Sequence, residues 1–303
     1  MSLFLMEKSI KINNQSARFY QSKVAISDKP AAHFYGGNGF VVGAYEPLLK
    51  QLAQVFDISS LAMRGYWYDK PTSTKLTRMD DAKMLIEFIE KIYDAPIIGI
   101  GHSQGATATA IAAAMRPDLF SAIYLVEPVT FTKQQTLLYK LIPDFIKLKN
   151  EPFKSTLKKQ QYWQSDEAYY QYLRGHKAYK RVSDDLLHIY AKNSLIKRND
   201  GGKGFELLFS PKQELASYFG TPFIDNALKT LNKTEVYYHI IKGKPSLFIN
   251  EKVRKSWQKF VPKTAITVLP QYGHLLPIEA PECVAQIIIE QNQSKNSTSG
   301  SSA

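Results

Sequence analysis

The stretch "IIGIGHSQGATATAIAAAM", residues 97–115, decides how this chain is read. Its first four residues are a short β-branched run with the character of a fully buried strand. From Gln104 to Met115 the chain is rich in alanine, and beyond Gly105 it holds no further Gly or Pro. That composition suits a helix whose small side chains let it approach a sheet closely. Between the two, Gly101-His102-Ser103-Gln104-Gly105 must turn strand into helix within a few residues. Glycines two positions to either side of Ser103 predict a strained backbone at the serine. Its hydroxyl then stands clear of the sheet at a helix N-terminus, where unpaired N–H groups can hold negative charge. An ordinary turn with an N-cap serine is the bland alternative. The strand before and the helix after favour a nucleophile.

The rest of the chain supplies the setting. It has 303 residues, 44% of them hydrophobic, enough for one large core or for a core with an insertion. Strand-like and helix-like segments alternate, which argues for an α/β architecture with a mostly parallel sheet. No repeat of fixed period is found. The single cysteine, Cys283, allows no disulfide framework within the chain and no cysteine-based metal site. The N-terminus lacks a basic region, a long apolar stretch and a cleavage site, so no secretory signal is read there. No apolar run reaches the roughly 18 residues a membrane span needs. A cytoplasmic location is the expectation.

The first 130 residues read as a hairpin ("EKSIKINN", "SARFYQS") followed by strand–helix units. The strands are read in "KPAAHFYGGNGF", which runs into a glycine-rich turn, in "DISSLAMRGY" with its exit loop, in Pro96 to Ile100 and in "SAIYLVEPV", the last ending at Glu127-Pro128. After Pro128 the rhythm breaks. Residues 131–242 read as a mostly helical insertion. It carries ten of the eighteen tyrosines and a net charge of +8 out of the chain's +12. The core is expected to resume at 243 with "KPSLFINEK" as a strand and to run to 293. The last ten residues, Ser-rich, are expected to be disordered. The basic excess could attract an anionic partner, including a weak association of the insertion with a membrane surface. No zinc-finger, RRM or KH-like signature accompanies it, so no nucleic-acid partner is expected. Oligomeric state is not legible.

A serine hydroxyl needs a base, normally histidine, and an acid to orient that base. Among six histidines, His102 adjoins Ser103 but should leave the turn in another direction. His33 precedes the serine, and His176, His188 and His239 lie in the insertion. His274, in "YGHLLPIEAPE", follows the last strand, at the end of the sheet where ligand-facing groups gather. It is the expected base.

Ser103 in "GHSQG", His274 in "GHLLPIEAPE" and the early "HFYGGNGF" together resemble the α/β-hydrolase superfamily. The likeness covers about residues 30–128 and 244–290. It implies an α/β-hydrolase fold with helices on both faces of the sheet, and it gives the insertion the position of a cap domain. It further implies an oxyanion hole from the N–H groups of Asn38 and Gln104. Many family members carry an Asp past the seventh strand. By the G-x-x-D spacing that position falls at Val253 here, so the usual acid is missing. Some branches place the acid at the end of the sixth strand, which offers Glu127. Glu251 and Asp225 remain alternatives. "MRGYWYDKPT" would bring Tyr66 and Trp67 to an apolar, aromatic-lined pocket, although such rings more often pack a cap onto a core.

The resulting expectation is a cofactor-independent, metal-independent serine hydrolase. It would act on an apolar small-molecule carboxylic ester, in an esterase- or lipase-like way, through Ser103, His274 and Glu127. The same constellation serves thioesterases, carbon–carbon hydrolases, perhydrolases and acyltransferases. A non-catalytic ligand receptor on the same fold is the alternative from outside enzymology.

Overall fold

In the computed structural model, residues 4–22, 28–69 and 75–300 are described. Elements in chain order are β1 (Leu5–Ile12), β2 (Gln15–Ser22), β3 (Ala31–Tyr35), α1 (Glu46–Leu52), β4 (Asp57–Leu61), α2 (Arg78–Ile92), β5 (Ile97–His102), α3 (Gln104–Met115) and β6 (Phe120–Val126). The inserted region holds α4 (Lys133–Leu141), α5 (Asp144–Lys147), α6 (Phe153–Leu157), β7 (Tyr162–Trp163), α7 (Asp166–Arg174), α8 (Asp184–Asn193), β8 (Leu195–Lys197), β9 (Phe205–Leu207) and α9 (Pro211–Tyr218). Then come α10 (Asp225–Leu231), β10 (Tyr237–Gly243), α11 (Glu251–Trp257), β11 (Ile266–Leu269), α12 (Leu276–Glu279) and α13 (Pro281–Gly300).

Eight strands form one sheet in the order β1-β2-β4-β3-β5-β6-β10-β11. β1 and β2 are the expected antiparallel hairpin, and β2 also runs antiparallel to β4. From β4 to β11 every pairing is parallel. β5 sits at the centre with every residue buried, as its unbroken apolar run predicts. α3 packs against β5 and β6, and its alanines at 106, 108, 110, 112 and 113 are fully buried. α2 begins with a capping box: the Thr77 hydroxyl accepts from the Asp80 N–H, and the Asp80 carboxylate accepts from the Thr77 N–H. Its Leu85, Phe88 and Ile89, at helical spacing, are fully buried.

Three expectations change. The strand expected over 244–252 lies earlier, at Tyr237–Gly243. This run pairs with β6 on one side and β11 on the other. Lys244-Pro245 ends it, since proline offers no N–H to a ladder, and 251–257 is helix α11. α10 already packs against α3, so core structure resumes before residue 243. The insertion also contains a small antiparallel sheet formed by β7, β9 and β8. At the C-terminus α13 continues through 294–300, where disorder was expected. Residues 301–303 of that segment, and 70–72 of the "MRGYWYDKPT" loop, lie outside the described residues. Among the described residues no helix is long and apolar enough to cross a membrane.

Two features of the core yield tests. A Cβ on Gly105 would overlap the carbonyl oxygens of Tyr35 and Gly36, which are backbone and cannot swing aside. Gly105→Ala should lower unfolding free energy by at least about 2 kcal/mol, read as a drop in the urea midpoint. His33 is buried on β3, and its Nε2 accepts from the Leu61 N–H at 2.9 Å. Burial pulls its pKa down to about 3. Below the free-imidazole value near 6.5 the unfolded chain takes a proton that the folded chain refuses, so stability falls as pH drops, by about 1.4 kcal/mol per pH unit for this one group. Urea melts of His33→Gln across that acidic window should show a slope shallower by about that amount. An unchanged slope would mean that His33 does not contribute.

Candidate active site

The turn between β5 and α3 carries Ser103 at φ 55° and ψ −121°, in the left-handed region that a non-glycine residue seldom occupies. The flanking glycines make it possible. A Cβ at Gly101 would run into the Ala106 backbone, and one at Gly105 into Tyr35. The Ser103 N–H donates to the Val126 carbonyl at 3.0 Å, which ties the turn to the end of β6. The serine is nearly buried, as is Gln104 after it.

His274 lies in the loop between β11 and α12, 171 positions from Ser103, and its Nε2 stands 3.0 Å from Ser103 Oγ. Its Nδ1 is 3.3 Å from Glu127 Oε2. A carboxylate without a proton only accepts, so Nδ1 carries the hydrogen and Nε2 is free to accept from the serine hydroxyl. The loop is held from two sides. Glu279 accepts from the Gly273 N–H at 2.6 Å. Phe248 meets the imidazole edge-on, with ring centroids 4.7 Å apart. Burial, the largest influence, raises the Glu279 pKa.

Glu127 follows β6 directly, is fully buried and has φ 47°. Besides His274 it has two further donors: Gly243 N–H to Oε1 at 2.6 Å and Ser246 Oγ to Oε2 at 2.8 Å. Both come from the end of β10 and the loop after it. β10 ends at Gly243, and the G-x-x-D spacing counted from there falls at Ser246, not at Val253. The place where an acid was sought is therefore taken by a hydroxyl that supports Glu127. The alternative acids are engaged elsewhere. Asp225 accepts from Trp257 Nε1 at 2.8 Å, and Glu251 pairs with Lys255 at 3.0 Å on an exposed surface.

His102, set aside as a base, turns out to join the two halves of the site. The His274 carbonyl can only accept, so the 2.9 Å contact puts a proton on His102 Nε2. His102 Nδ1 then accepts from the Tyr45 hydroxyl at 2.8 Å, and Tyr45 Oη accepts from the Gly37 N–H at 2.9 Å. Burial, reinforced by nearby His274, holds the His102 pKa down to about 3 and keeps the ring neutral. This chain links the glycine-rich loop after β3 to the histidine loop. Tyr45 carried no sequence signal, because an aromatic at the start of a helix reads as core.

The glycine-rich loop lies on Ser103: a Cβ at Gly37 would come within 3.2 Å of Ser103 Cβ. Asn38 Nδ2 donates to the Glu214 carbonyl on α9 at 2.9 Å, and Arg78 donates to Gln104 Oε1. The side chains of both expected oxyanion residues are thus pinned. Their backbone N–H groups take no acceptor among the described residues. Tyr66 and Trp67 are not offered to a ligand. The Tyr66 hydroxyl bonds Tyr20 and its ring lies under the Arg18 guanidinium, while Trp67 Nε1 donates to the Ala62 carbonyl at 2.6 Å. They pack the core beside β2.

A cavity of about 280 Å³ in the inserted region is lined by Tyr169, Tyr172, Tyr179, Tyr218, Lys159 and Glu214, among others. It abuts the glycine-rich loop, since a Cβ at Gly39 would lie 2.8 Å from the Glu214 carboxyl carbon. Lys159 pairs with Glu214 at 2.7 Å. Burial is the largest single influence and acts to lower the lysine pKa, but Glu214, Tyr179 and Tyr172 together oppose it and the net shift is upward. Tyr218 bonds Glu214 and Tyr179 bonds Tyr190, so these polar edges satisfy one another and ring faces remain. Sequence composition anticipated the rings, not the ion pair. Among the described residues no cluster of His, Cys, Asp or Glu could hold a metal ion.

Comparison with known proteins follows this geometry. A family model for the alpha/beta hydrolase fold matches residues 34–281. The chain is 23% identical over 261 residues to the uncharacterized hydrolase YugF of Bacillus subtilis (strain 168), covering 84% of this chain and 87% of that protein. Among solved structures it is similar to E-2-(acetamidomethylene)succinate hydrolase, with a TM-score of 0.75 at 17% identity, covering 94% of this chain and 98% of that one. It is also similar to the thioesterase domain from the curacin biosynthetic pathway, with a TM-score of 0.70 at 18% identity and coverage of 94% and 99%.

Tyr45→Phe tests the link through His102. It strands the Gly37 N–H and His102 Nδ1 without an internal partner, so stability should fall by about 1–3 kcal/mol. If the link also aligns the two loops, catalytic turnover should fall while Ser103 remains in place for chemical labelling. A variant with wild-type turnover would leave the link a purely structural role.

Proposed function

The chain belongs to the alpha/beta hydrolase fold family, and on that premise we propose that it is a serine hydrolase of carboxylic esters working through Ser103, His274 and Glu127. One observation carries the reading: a serine on a strained strand-to-helix turn, 3.0 Å from an imidazole whose far nitrogen faces a buried carboxylate. In the proposed reaction Ser103 Oγ attacks the ester carbonyl and its proton passes to His274 Nε2. Glu127 holds the imidazole in the required tautomer and stabilises the imidazolium. The backbone N–H groups of Asn38 and Gln104 receive the oxyanion, each worth about 3 kcal/mol in comparable sites. His274 then protonates the departing alkoxide, and a water activated by the same imidazole releases the acid. The ring faces of the inserted cavity favour an apolar acyl or alcohol group, with the Lys159–Glu214 pair internally neutralised at its wall.

Active-site labelling and ester hydrolysis test the proposal together. A fluorophosphonate should label the wild type but not Ser103→Ala, and Ser103→Ala and His274→Ala should both fail to hydrolyse p-nitrophenyl esters. Glu127→Gln should keep the fold but lower kcat by about four orders of magnitude, because the amide favours the wrong tautomer. A near-normal rate in Glu127→Gln would remove the glutamate from the mechanism. Labelling of Ser103→Ala as strong as that of the wild type would remove the serine.

A further inference from the structure

The connection after Glu127 exposes an apolar surface that the catalytic reading leaves unused. Leu137, Leu138, Leu141, Ile142, Phe145 and Ile146 stand exposed within ten consecutive positions of α4 and α5 and the bend between them. They are six of the sixteen large hydrophobic residues exposed among the described residues, and Leu141 is 71% exposed. Leu137, Leu138 and Leu141 share one face of α4 by their spacing. No residue of α4 is buried. The helix is only partly covered, along Gln135, Thr136 and Tyr139, the last packed on Phe131, and it is tethered at defined points. The Phe131 N–H donates to the Pro222 carbonyl at 2.9 Å, and the Tyr139 hydroxyl donates to the Tyr218 carbonyl at 2.6 Å. Lys75 pairs with Asp144 at 2.6 Å, and Lys147 lies over the Tyr139 ring at 4.5 Å. A Thr132–Gln135 capping box starts α4. The apolar side chains are thus presented by a fixed scaffold.

Charge narrows the choice of occupant. Residues 131–160 hold seven lysines against two acidic residues. Asp144 is already matched by Lys75 and Lys147, and the Glu151 carboxylate accepts from the Ser155 N–H. Lys133, Lys140, Lys149, Lys154 and Lys158 are exposed around the apolar stretch. A second copy meeting this surface about a two-fold axis would bring lysine against lysine, because such an interface places the same patch on both sides. An anionic bilayer accepts both features. Leucine, isoleucine and phenylalanine enter the boundary between headgroups and acyl chains, and the lysines remain among the negative headgroups. We propose that the α4–α5 segment is a docking surface for an anionic lipid membrane, with the protein lying on the bilayer and not crossing it.

Co-sedimentation of the full-length protein with lipid vesicles tests this. The protein should pellet with vesicles containing phosphatidylglycerol at low salt and should be released at high salt, where surface charges are screened. Binding to pure phosphatidylcholine should be weaker by about tenfold or more, since the lysines lose their attraction to negative headgroups. Leu141→Asp/Phe145→Asp should lower the partition coefficient by about tenfold or more through loss of apolar insertion. Lys140→Glu/Lys149→Glu should lower it on phosphatidylglycerol vesicles without lowering it on phosphatidylcholine. All four positions are solvent-exposed, so circular dichroism and thermal melts of the variants should match the wild type. Absence of binding to phosphatidylglycerol vesicles at low salt would overturn the proposal, as would undiminished binding by the aspartate variant. A dimer in sedimentation equilibrium without lipid, abolished by the same aspartates, would assign the surface to a second copy and also overturn it.

Discussion

The close approach of α3 to the ends of β3 and β5 constrains the whole molecule. Gly105 lies so near the Tyr35 and Gly36 carbonyls that no side chain fits between them, and Gly101 lies equally close to Ala106. The chain must therefore reverse within very few residues, and Ser103 takes up the strain at φ 55°. The fully buried alanines of α3 serve the same end, since larger side chains would lift the helix off the sheet. Once the helix is seated, the serine stands at its N-terminus against the glycine-rich loop.

Glu127 plays the corresponding part at the end of β6. Burying a carboxylate is costly unless its oxygens are satisfied. Here they face the Gly243 N–H, the Ser246 hydroxyl and His274 Nδ1, groups from two other segments of the chain. The carboxylate thus joins three carboxyl-terminal ends of the sheet while it orients the imidazole. Lys242 is buried nearby. Burial lowers its pKa and the charge of Glu127 opposes that shift, so the lysine depends on the carboxylate as well.

The two loops that meet at Ser103 are also joined behind it, through Tyr45 and His102. Each member of that chain has a fixed direction of donation, set by a carbonyl that can only accept and an N–H that can only donate. The inserted region closes the other side, with Asn38 held by the Glu214 carbonyl and Arg78 reaching the Ser217 carbonyl at 3.4 Å. The same region turns its unburied apolar residues outward on α4 and α5. Its inner face and its outer face thus answer to different surroundings.

Local sequence was sufficient wherever a short-range rule acts alone. Glycines on either side of Ser103, an apolar run before it and alanines after it specify strand, turn and helix without outside help. The alternation of β1 and β2 specifies a hairpin, and Thr77 with Asp80 specifies the start of α2. His274 could be singled out because loops at the carboxyl ends of parallel strands converge. Other features were settled only by neighbours distant in sequence. Tyr237–Gly243 is a strand because β6 and β11 flank it, and that makes Gly243 the residue from which the spacing to Ser246 is counted. Glu127, Glu251 and Asp225 are all carboxylates, and what separates them is the partner that folding brings alongside: His274, Lys255 and Trp257. Tyr66 and Trp67 face Tyr20 and Ala62 because β2 packs there, and Tyr45 matters because folding brings His102 to it. The physical reason is common to all of these. Backbone conformation responds to nearest neighbours along the chain, whereas the partner of a buried polar group is chosen by the packing of the whole.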